Sequence, residues 1–349
     1  MDFPTTRAAI DAALAAGAFP AVAVEVGRSD GPVWTYASGV LGPDPTSPAT
    51  TATIFDLASL TKVMATASLL MQHLARGRVT LDTPVSRLLE GWNTQGRELV
   101  QLRHLLDHSS GLPAHARFWE RMAGRPAYET AIGSLPLTAD AGTVSTYSDP
   151  GFILLGFILE ELGSATIQEQ FSTFASAWSV GELLFKPPYE WRSRIAATEV
   201  DPWRGRLLRG EVHDENAAAL GSVAGHAGLF GSVAGVGGFA QLVLRTFRKV
   251  TPLGRPELMQ TFATRTGVPG SSRALAWDTM LPTSSCGTRL SATSIGHTGF
   301  TGTSLWIDPD RDLYVVLLTN RVHPSRSNDR IVRVRPQVHD AVIHDLEGK

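Results

Sequence analysis

The pattern of apolar and polar residues predicts strands near both ends of the chain and helices between them. Residues 21–27 and 33–37 alternate in the manner of β-strands, and Ser-Asp-Gly at 29–31 predicts a hairpin turn between them. A second hairpin is predicted over 303–308 and 313–319. Strands at both termini favour one antiparallel sheet over a series of β-α-β units, so the fold class is α+β.

Helical periodicity dominates the rest of the chain. After residue 59, apolar side chains recur at helical spacing and predict a buried stripe on one helix, formed by Val63, Ala67, Leu70 and Leu74. Further helices are predicted at 6–16, 99–108, 152–162, 236–247 and 329–346. We therefore predict a discontinuous sheet region (1–75 and 270–349), a mostly helical region (76–269) and an active site at their junction.

Composition narrows the function only by exclusion. The 349 residues are 43% hydrophobic and 18% charged with a net charge of −2, so nothing indicates a nucleic-acid partner. The apolar stretch 13–26 is broken by Gly17 and Pro20, which argues against a signal peptide or a membrane span and predicts a cytoplasmic enzyme. A periplasmic or secreted enzyme is the alternative if the chain is the mature form of an exported protein. The single cysteine, Cys286, cannot form an internal disulfide and is interpreted as structural rather than nucleophilic.

The first candidate for chemistry is Ser-Leu-Thr-Lys at 59–62, where the predicted helix begins. Residues three apart on a helix share a face, so the side chains of Ser59 and Lys62 can interact. A serine hydroxyl needs a base, and a lysine with a lowered pKa can supply one. Lysine occurs elsewhere only at 186, 249 and 349, and apolar residues surround Lys62, which favours a catalytic pair over an exposed surface lysine.

The second candidate is Tyr-Ser-Asp at 147–149, directly before an apolar helix. A loop tyrosine at a helix start can pass protons between a nucleophile and a leaving group, which is the role considered for Tyr147. A turn tyrosine with Asp149 as the helix N-cap is the alternative, and this motif alone favours that alternative.

The third candidate is His-Thr-Gly at 297–299, followed by Phe300 and the strand at 303–308. Glycine beside a strand permits close approach of a substrate, and a backbone N–H just beyond it can form half of an oxyanion hole. The N–H of Ser59, at a helix N-terminus, is suited to the other half. A glycine-rich turn entering a strand is the alternative.

In this order the motifs resemble the Ser-x-x-Lys, Ser-Asp-Asn and Lys-Thr-Gly set of β-lactamases and penicillin-binding proteins. The chain is similar to the family of class C β-lactamases, D-Ala-D-Ala carboxypeptidases and family VIII esterases (peptidase family S12) over nearly its whole length. Further similar stretches lie at 55–59, 105–113 and 302–306. The resemblance implies a β-lactamase/transpeptidase-like fold, with the sheet flanked by helices and a largely helical insertion, and no cofactor or metal.

The resemblance also implies roles for individual residues. Ser59 would be the nucleophile, Lys62 its base and Tyr147 the proton relay, with the oxyanion hole formed by the N–H groups of Ser59 and Phe300. Asp149 and His297 complete the expected catalytic set. The residues expected to bind the substrate or its oxyanion are Phe300, Thr298, Gly299, Asn216 and His226.

The chain departs from the family pattern at two motif positions. Asp149 replaces the usual Asn, and its carboxylate should pair with Lys62 and favour the charged form of that lysine. Either Tyr147 then carries more of the base role, or Lys62 is chiefly electrostatic. His297 replaces the third-motif lysine, which weakens the case for an anionic β-lactam and predicts activity that is sensitive to pH near about 6 to 7.

The segment 212–228 concentrates histidine, acidic and amide side chains in a glycine-rich stretch. We interpret it as a loop bordering the pocket, in which His226 or Asn216 either contacts substrate or only fixes the loop. A zinc site formed by His213, Asp214 and His226 is the less favoured interpretation, because the segment has no His-x-x-x-His pair and no cysteine.

These observations predict a serine hydrolase that cleaves an ester or amide of a small-molecule substrate through an acyl-enzyme on Ser59. An esterase or peptidase with weak or absent β-lactamase activity is favoured over a true class C-type β-lactamase. The alternative from another class is a catalytically inactive module that binds a peptide or sugar-peptide, and Asp149 is the feature that favours it. The sequence does not define an oligomeric state.

Overall fold

The computed structural model describes residues 2–93, 96–177 and 181–348. Its main feature is a six-stranded antiparallel sheet in the order β2-β1-β11-β10-β9-β8. The strands of this sheet are β1 (Ala21–Arg28), β2 (Gly31–Gly39), β8 (Asp278–Thr279), β9 (Ile295–Thr298), β10 (Ser304–Asp308) and β11 (Leu313–Thr319). Both predicted hairpins are present, and β1 pairs with β11, so the two ends of the chain meet at the centre of the sheet.

Alternating side chains of the central strands face two layers of helix. Val22 and Val24 pack with the terminal helices α1 (Pro4–Ala15) and α10 (Ile331–Glu347). Ala21 and Ala23 point to the opposite face and pack with α8 (Val233–Thr246). This period of two buries both faces of the sheet.

The central part of the chain is helical, with two small sheets. A three-stranded sheet joins β3 (Phe55–Asp56), β7 (Leu229–Gly231) and β4 (Leu183–Phe185), and β5 (Val200–Asp201) pairs with β6 (Arg206–Leu207). The remaining α-helices are α2 (Ser68–Ala75), α3 (Leu102–Leu106), α4 (Arg125–Gly133), α5 (Asp149–Gly163), α6 (Ile167–Ser176), α7 (Glu215–Ala219) and α9 (Pro256–Ala263).

Two of these elements position the candidate chemistry. The helix predicted to follow Ser59 begins as a π-helical segment, Lys62–Ala67, and continues as α2. The buried helix α5 begins at Asp149, and the hydroxyl of Ser148 caps it by accepting the N–H of Gly151 at 3.2 Å. Helix starts therefore hold both the first and the second motif.

Among the described residues no single helix is long and apolar enough to cross a bilayer. Helices α5 and α6, which are bent by 74° at their junction, have the length and composition of a membrane span only when they are taken together.

Candidate active site

Ser59 lies in a tight turn between β3 and the π-helical segment and is half-buried at the floor of a cavity. The residue before it, Ala58, has a positive φ of 47°, a conformation that costs energy for a residue other than glycine. The buried carboxylate of Asp56 stabilises this turn, since it accepts the N–H of Ala58 at 2.8 Å and the N–H of His213 at 2.7 Å. These contacts fix where Ser59 presents its hydroxyl.

Lys62 is fully buried, and its ammonium makes three hydrogen bonds. Its Nζ donates to Ser59 Oγ at 3.0 Å, to Asp149 Oδ1 at 2.7 Å and to the carbonyl of His226 at 3.2 Å. Burial lowers the pKa of Lys62, but the charge of Asp149, the second-largest influence, acts together with Tyr147 and outweighs burial, so the pKa is raised above its ordinary value. The ion pair expected from the sequence is thus present, and it holds Lys62 in the charged form.

Asp149 is bonded through both of its carboxylate oxygens. Oδ1 faces Lys62, and Oδ2 lies 2.8 Å from Nδ1 of His115. Burial acts to raise the pKa of Asp149, yet the charge of Lys62 and the hydrogen bond from His115 lower it well below its usual range. The same hydrogen bond raises the pKa of His115, although that side chain is 69% exposed.

Tyr147 lies at the centre of a cluster of rings and cations. Lys62 Nζ lies 4.8 Å from the centroid of its ring, and Cζ of Arg273 lies 5.1 Å from the same centroid. The ring of His108 is 4.5 Å away and that of His297 is 5.9 Å away, centroid to centroid. Cations over the face of an aromatic ring are attracted by its quadrupole, so both positive charges interact favourably with the ring of Tyr147.

His297 is a neutral, buried imidazole. Its Nδ1 lies 2.9 Å from the carbonyl oxygen of Thr298, which can only accept, so Nδ1 carries the proton and Nε2 has a free lone pair. Burial, together with the charges of Arg273 and Lys62, holds the pKa of His297 well below 6.5. The expectation that His297 makes activity pH-sensitive near neutrality is therefore wrong, because this ring is already uncharged there.

Residues just after the third motif are hydrogen-bonded to the segment that precedes Ser59. The hydroxyl of Thr301 donates to the carbonyl of Asp56 at 2.7 Å, and that of Thr303 donates to the carbonyl of Leu57 at 3.0 Å. A Cβ on Gly299 would lie 2.6 Å from the Leu57 carbonyl oxygen, so only glycine permits this approach. The loop after β9 and the turn before Ser59 consequently form one rigid unit.

Phe300 is positioned from both sides. Its carbonyl accepts from Nε of Arg321 at 2.7 Å, and Cζ of that arginine lies 4.3 Å from the phenyl centroid. The ring of His213 stacks against the phenyl group at 5.6 Å. Within the described ranges, the N–H groups of Ser59 and Phe300 have no acceptor in the protein, as an oxyanion hole requires.

The cavity above these groups has a volume of about 1040 Å³. One side is an aromatic wall, which we define as Trp119, Trp203 and Phe300; the two indoles lie 4.9 Å apart, and Trp203 and Phe300 are 41% and 50% exposed. Arg273 also lines the cavity, and in the part of the chain that the structure describes its guanidinium has no carboxylate partner. The cavity therefore combines apolar rings with a cation available to a ligand.

In the segment 212–228, the side chains of His226 and Asn216 bond to protein. Nε2 of His226 lies 2.7 Å from Asp214 Oδ1, which also caps α7 through the N–H of Ala217. The Asn216 side chain accepts the N–H of Trp119 at 3.2 Å and donates to the carbonyl of Ala116 at 2.9 Å. Of the two alternatives, fixing the loop is the one that matches these contacts, and Asn216 thereby positions the aromatic wall.

The zinc interpretation of this segment is wrong. Nε2 of His213 lies 2.9 Å from Glu199 Oε2, whereas His226 contacts Asp214, so the proposed ligands belong to different clusters. Over residues 2–93, 96–177 and 181–348, no group of three or more histidine, cysteine or acidic side chains is arranged to hold a metal.

Three residues of the site were not predicted from the sequence: His108, His115 and Arg273. His108 and His115 lie within or just after the family-like stretch at 105–113, which was the available signal for a segment near the site. Arg273 lies 24 positions before His297 in sequence, and no motif marks it.

A serine hydroxyl 3.0 Å from a buried lysine at the floor of a cavity is the arrangement of a serine hydrolase with a lysine partner. A family model for beta-lactamases matches residues 6–338, so the chain belongs to the beta-lactamase family, and the predicted enzyme class is confirmed.

Relatives and solved structures agree with this assignment. An Escherichia coli K12 protein named "Putative D-alanyl-D-alanine carboxypeptidase" is 29% identical over 82% of this chain and 73% of its own length. A Bacillus subtilis N-acetylmuramyl-L-alanine amidase is 31% identical over 78% of this chain and 69% of its own. The class C beta lactamase structure from Rhodobacter sphaeroides superimposes with a TM-score of 0.79 at 20% identity, covering 98% of this chain and 99% of that one, which confirms the predicted fold.

Proposed function

We propose that this serine hydrolase forms its acyl-enzyme on Ser59 and cleaves an amide bond of a small peptide or sugar-peptide. The observation that carries the proposal is the 3.0 Å contact between Ser59 Oγ and Lys62 Nζ on the floor of the cavity. A nucleophile within hydrogen-bond reach of a buried, oriented partner is the arrangement that covalent catalysis requires.

In the proposed reaction, Ser59 Oγ bonds to the substrate carbonyl carbon while its proton passes to the pair formed by Lys62 and Tyr147. This pair enters the step one proton short, either as a lysine amine with a phenol or as an ammonium with a phenolate. Because Asp149 holds Lys62 charged, Tyr147 carries a larger share of the proton transfer to the leaving amine than in a site with asparagine at this position. The N–H groups of Ser59 and Phe300 stabilise the negative oxygen of the tetrahedral intermediate. Water then cleaves the acyl-enzyme by the reverse proton path and regenerates Ser59.

The cavity supports a peptide or sugar-peptide substrate. Arg273 can bind a substrate carboxylate, because charge-assisted hydrogen bonds of a guanidinium to a carboxylate are among the strong ones. The aromatic wall gives a flat apolar surface for a sugar or side chain. The two relatives described above are named for amide bonds of this kind, a D-alanyl-D-alanine peptide and a muramyl-L-alanine linkage.

Intact-protein mass after incubation with a fluorophosphonate and, separately, with a penicillin tests the nucleophile. We expect a fluorophosphonate adduct on the wild type and none on Ser59→Ala, with slow or no penicillin adduct because His297 replaces the third-motif lysine. A stable penicillin adduct or rapid penicillin turnover would favour the β-lactamase alternative. A folded wild type that labels with neither reagent would favour the inactive binding module.

Release of free alanine, measured for each substrate separately, shows which of the two amide bonds the protein cleaves. The wild type is incubated with an acylated D-alanyl-D-alanine peptide and with N-acetylmuramyl-L-alanine, using Ser59→Ala as the blank. Turnover of either substrate that depends on Ser59 supports the proposal. Turnover of simple esters alone would restrict the protein to an esterase.

A further inference from the structure

Asp149 joins the catalytic lysine to a histidine at the mouth of the cavity. Its two oxygens lie 2.7 Å from Lys62 Nζ and 2.8 Å from His115 Nδ1. From the nucleophile outward, Ser59, Lys62, Asp149 and His115 therefore form a continuous chain of hydrogen bonds. The inner members are buried, whereas the His115 side chain is 69% exposed and so exchanges protons freely with solvent.

The carboxylate of Asp149 gives this chain a property that an amide would not have. Carboxylate oxygens only accept hydrogen bonds, so both Lys62 and His115 act as donors toward Asp149. When His115 is protonated, the carboxylate is shared between two cations, and the attraction that keeps the proton on Lys62 is partly offset by repulsion from the imidazolium.

Resting on the proposed function, we propose that His115 is a positioning residue that acts through Asp149 to set how firmly Lys62 retains its proton, and hence how reactive Ser59 is at acidic pH. His115 touches neither Ser59 nor the reacting carbonyl. It acts only by changing the effective charge on the far side of the carboxylate that holds the lysine.

Tyr147 also acts on Lys62, and two further ionisable groups face this chain and are partners of each other. Asp214, at the start of α7, and His226 face Asp149 from the segment 212–228, and they bond to each other at 2.7 Å. Lys62 and Asp214 are the remaining charges that act on His115 after Asp149 itself. Replacing His115 leaves the contact between Asp214 and His226 intact, so a change in pH dependence can be assigned to His115.

The sign of the effect follows from the contact with Asp149, which raises the pKa of His115 above its usual value. At a pH above that pKa, His115 is neutral and a glutamine at this position differs little from it. Below that pKa, the imidazolium weakens the hold of Asp149 on the Lys62 proton, so the neutral, reactive lysine is more populated in the wild type than in His115→Gln. Acidification should therefore slow the variant more than the wild type.

The readout is the second-order rate constant for fluorophosphonate labelling of Ser59, measured by intact mass between about pH 5 and pH 9, a range that spans histidine titration. We expect the ratio of wild type to His115→Gln to be near one at the alkaline end and to rise to about threefold at the acid end, a size set by the exposure of His115. In an Asp149→Asn background the ratio should be one throughout. Thermal denaturation confirms that each variant is folded.

His344→Gln is the matched control, since His344 is also exposed (58%) and also lies beside an aspartate, Asp345, but on the terminal helix. It should follow the wild type at every pH. A pH-independent ratio for His115→Gln, or a ratio that persists in the Asp149→Asn background, would overturn the role of His115. Failure of the wild type to label at any pH would instead overturn the proposed nucleophile, and the inference with it.

Discussion

The guanidinium of Arg273 lies over the ring of Tyr147, with Cζ 5.1 Å from the ring centroid. This contact places a cation at the cavity wall beside the proposed proton relay, although the chain lacks the third-motif lysine. Arg273 also helps to keep His297 neutral, since its charge lowers the pKa of that buried ring. Arg273 therefore brings a positive charge to the cavity from a position 24 residues before His297.

Arg273→Gln should weaken the binding of substrates that carry a carboxylate. Loss of one charge-assisted contact is expected to raise KM roughly tenfold for an anionic substrate, with little change for a neutral ester. Michaelis–Menten kinetics on a matched pair of charged and amidated peptides measure the difference. Arg117→Gln is the control, because Arg117 also lines the cavity but is paired with Glu120 at 2.8 Å; equal losses in both variants would argue against a carboxylate site at Arg273.

Gly299→Ala should reduce catalysis without unfolding the protein. The added methyl group would lie 2.6 Å from the Leu57 carbonyl oxygen and 2.1 Å from Thr303 Oγ1, so the loop must move away from Ser59. A displacement of this order at an active site costs roughly a hundredfold in kcat. The measurement is kcat together with Tm.

Gly267→Ala is the control for that substitution. Gly267 has open space around its Cβ position, and the same substitution there should leave kcat at the wild-type value. An unimpaired Gly299→Ala variant would show that the N–H of Phe300 need not be held where the structure places it.

Local pattern was sufficient to predict the elements that carry the motifs. Strand β11 coincides with the predicted 313–319, because an unbroken apolar run bounded by turn residues has one favourable arrangement at a sheet centre. The helix after Ser59 was also predicted, but its π-helical start was not. The turn that leads into this helix was also not predicted, since the positive φ of Ala58 and the tertiary contact of Asp56 with His213 leave no local signal.

The site was predictable where one motif supplies both partners, and not where the partners are distant in sequence. Ser59 and Lys62 are three residues apart, so helical spacing alone brings them together. Asp149 and His115 are 34 residues apart, and their contact depends on how a long loop returns to α5. The expected titration of His297 was wrong because burial and nearby cations, which lower its pKa, are properties of the folded chain.

Trp203→Ala should distinguish sugar-peptide from simple peptide substrates. Trp203 packs against Trp119, lines the cavity and is 41% exposed, so its removal takes away contact surface at the aromatic wall. We expect KM to rise roughly tenfold for N-acetylmuramyl-L-alanine, since loss of a stacking contact of this kind costs on the order of 1 kcal/mol. An acylated dipeptide without the sugar should be little affected, and an equal loss on both substrates would place the sugar elsewhere.

Asp149→Asn should change how stability depends on pH on the acid side. The charge of Lys62 and the His115 hydrogen bond overcome burial and hold the folded pKa of Asp149 below the ordinary 3.8. A depressed folded pKa adds stability that is present above the unfolded value and is lost as pH falls below it. The wild type should therefore lose Tm below about pH 4 more steeply than the variant.

Near neutral pH the Asp149→Asn variant should be less stable than the wild type. Its neutral amide leaves the buried ammonium of Lys62 without a counter-charge, and removal of one partner of a buried pair costs about 3 kcal/mol. Lys62→Met is the complementary variant, and alone it leaves Asp149 with His115 as its cation. Combined with Asp149→Asn, it removes the unpaired buried ammonium and should therefore restore part of the stability. Thermal denaturation of the two single variants and the double variant across the acid range measures this coupling. Additive losses in the double variant would show that the 2.7 Å contact contributes no net stability.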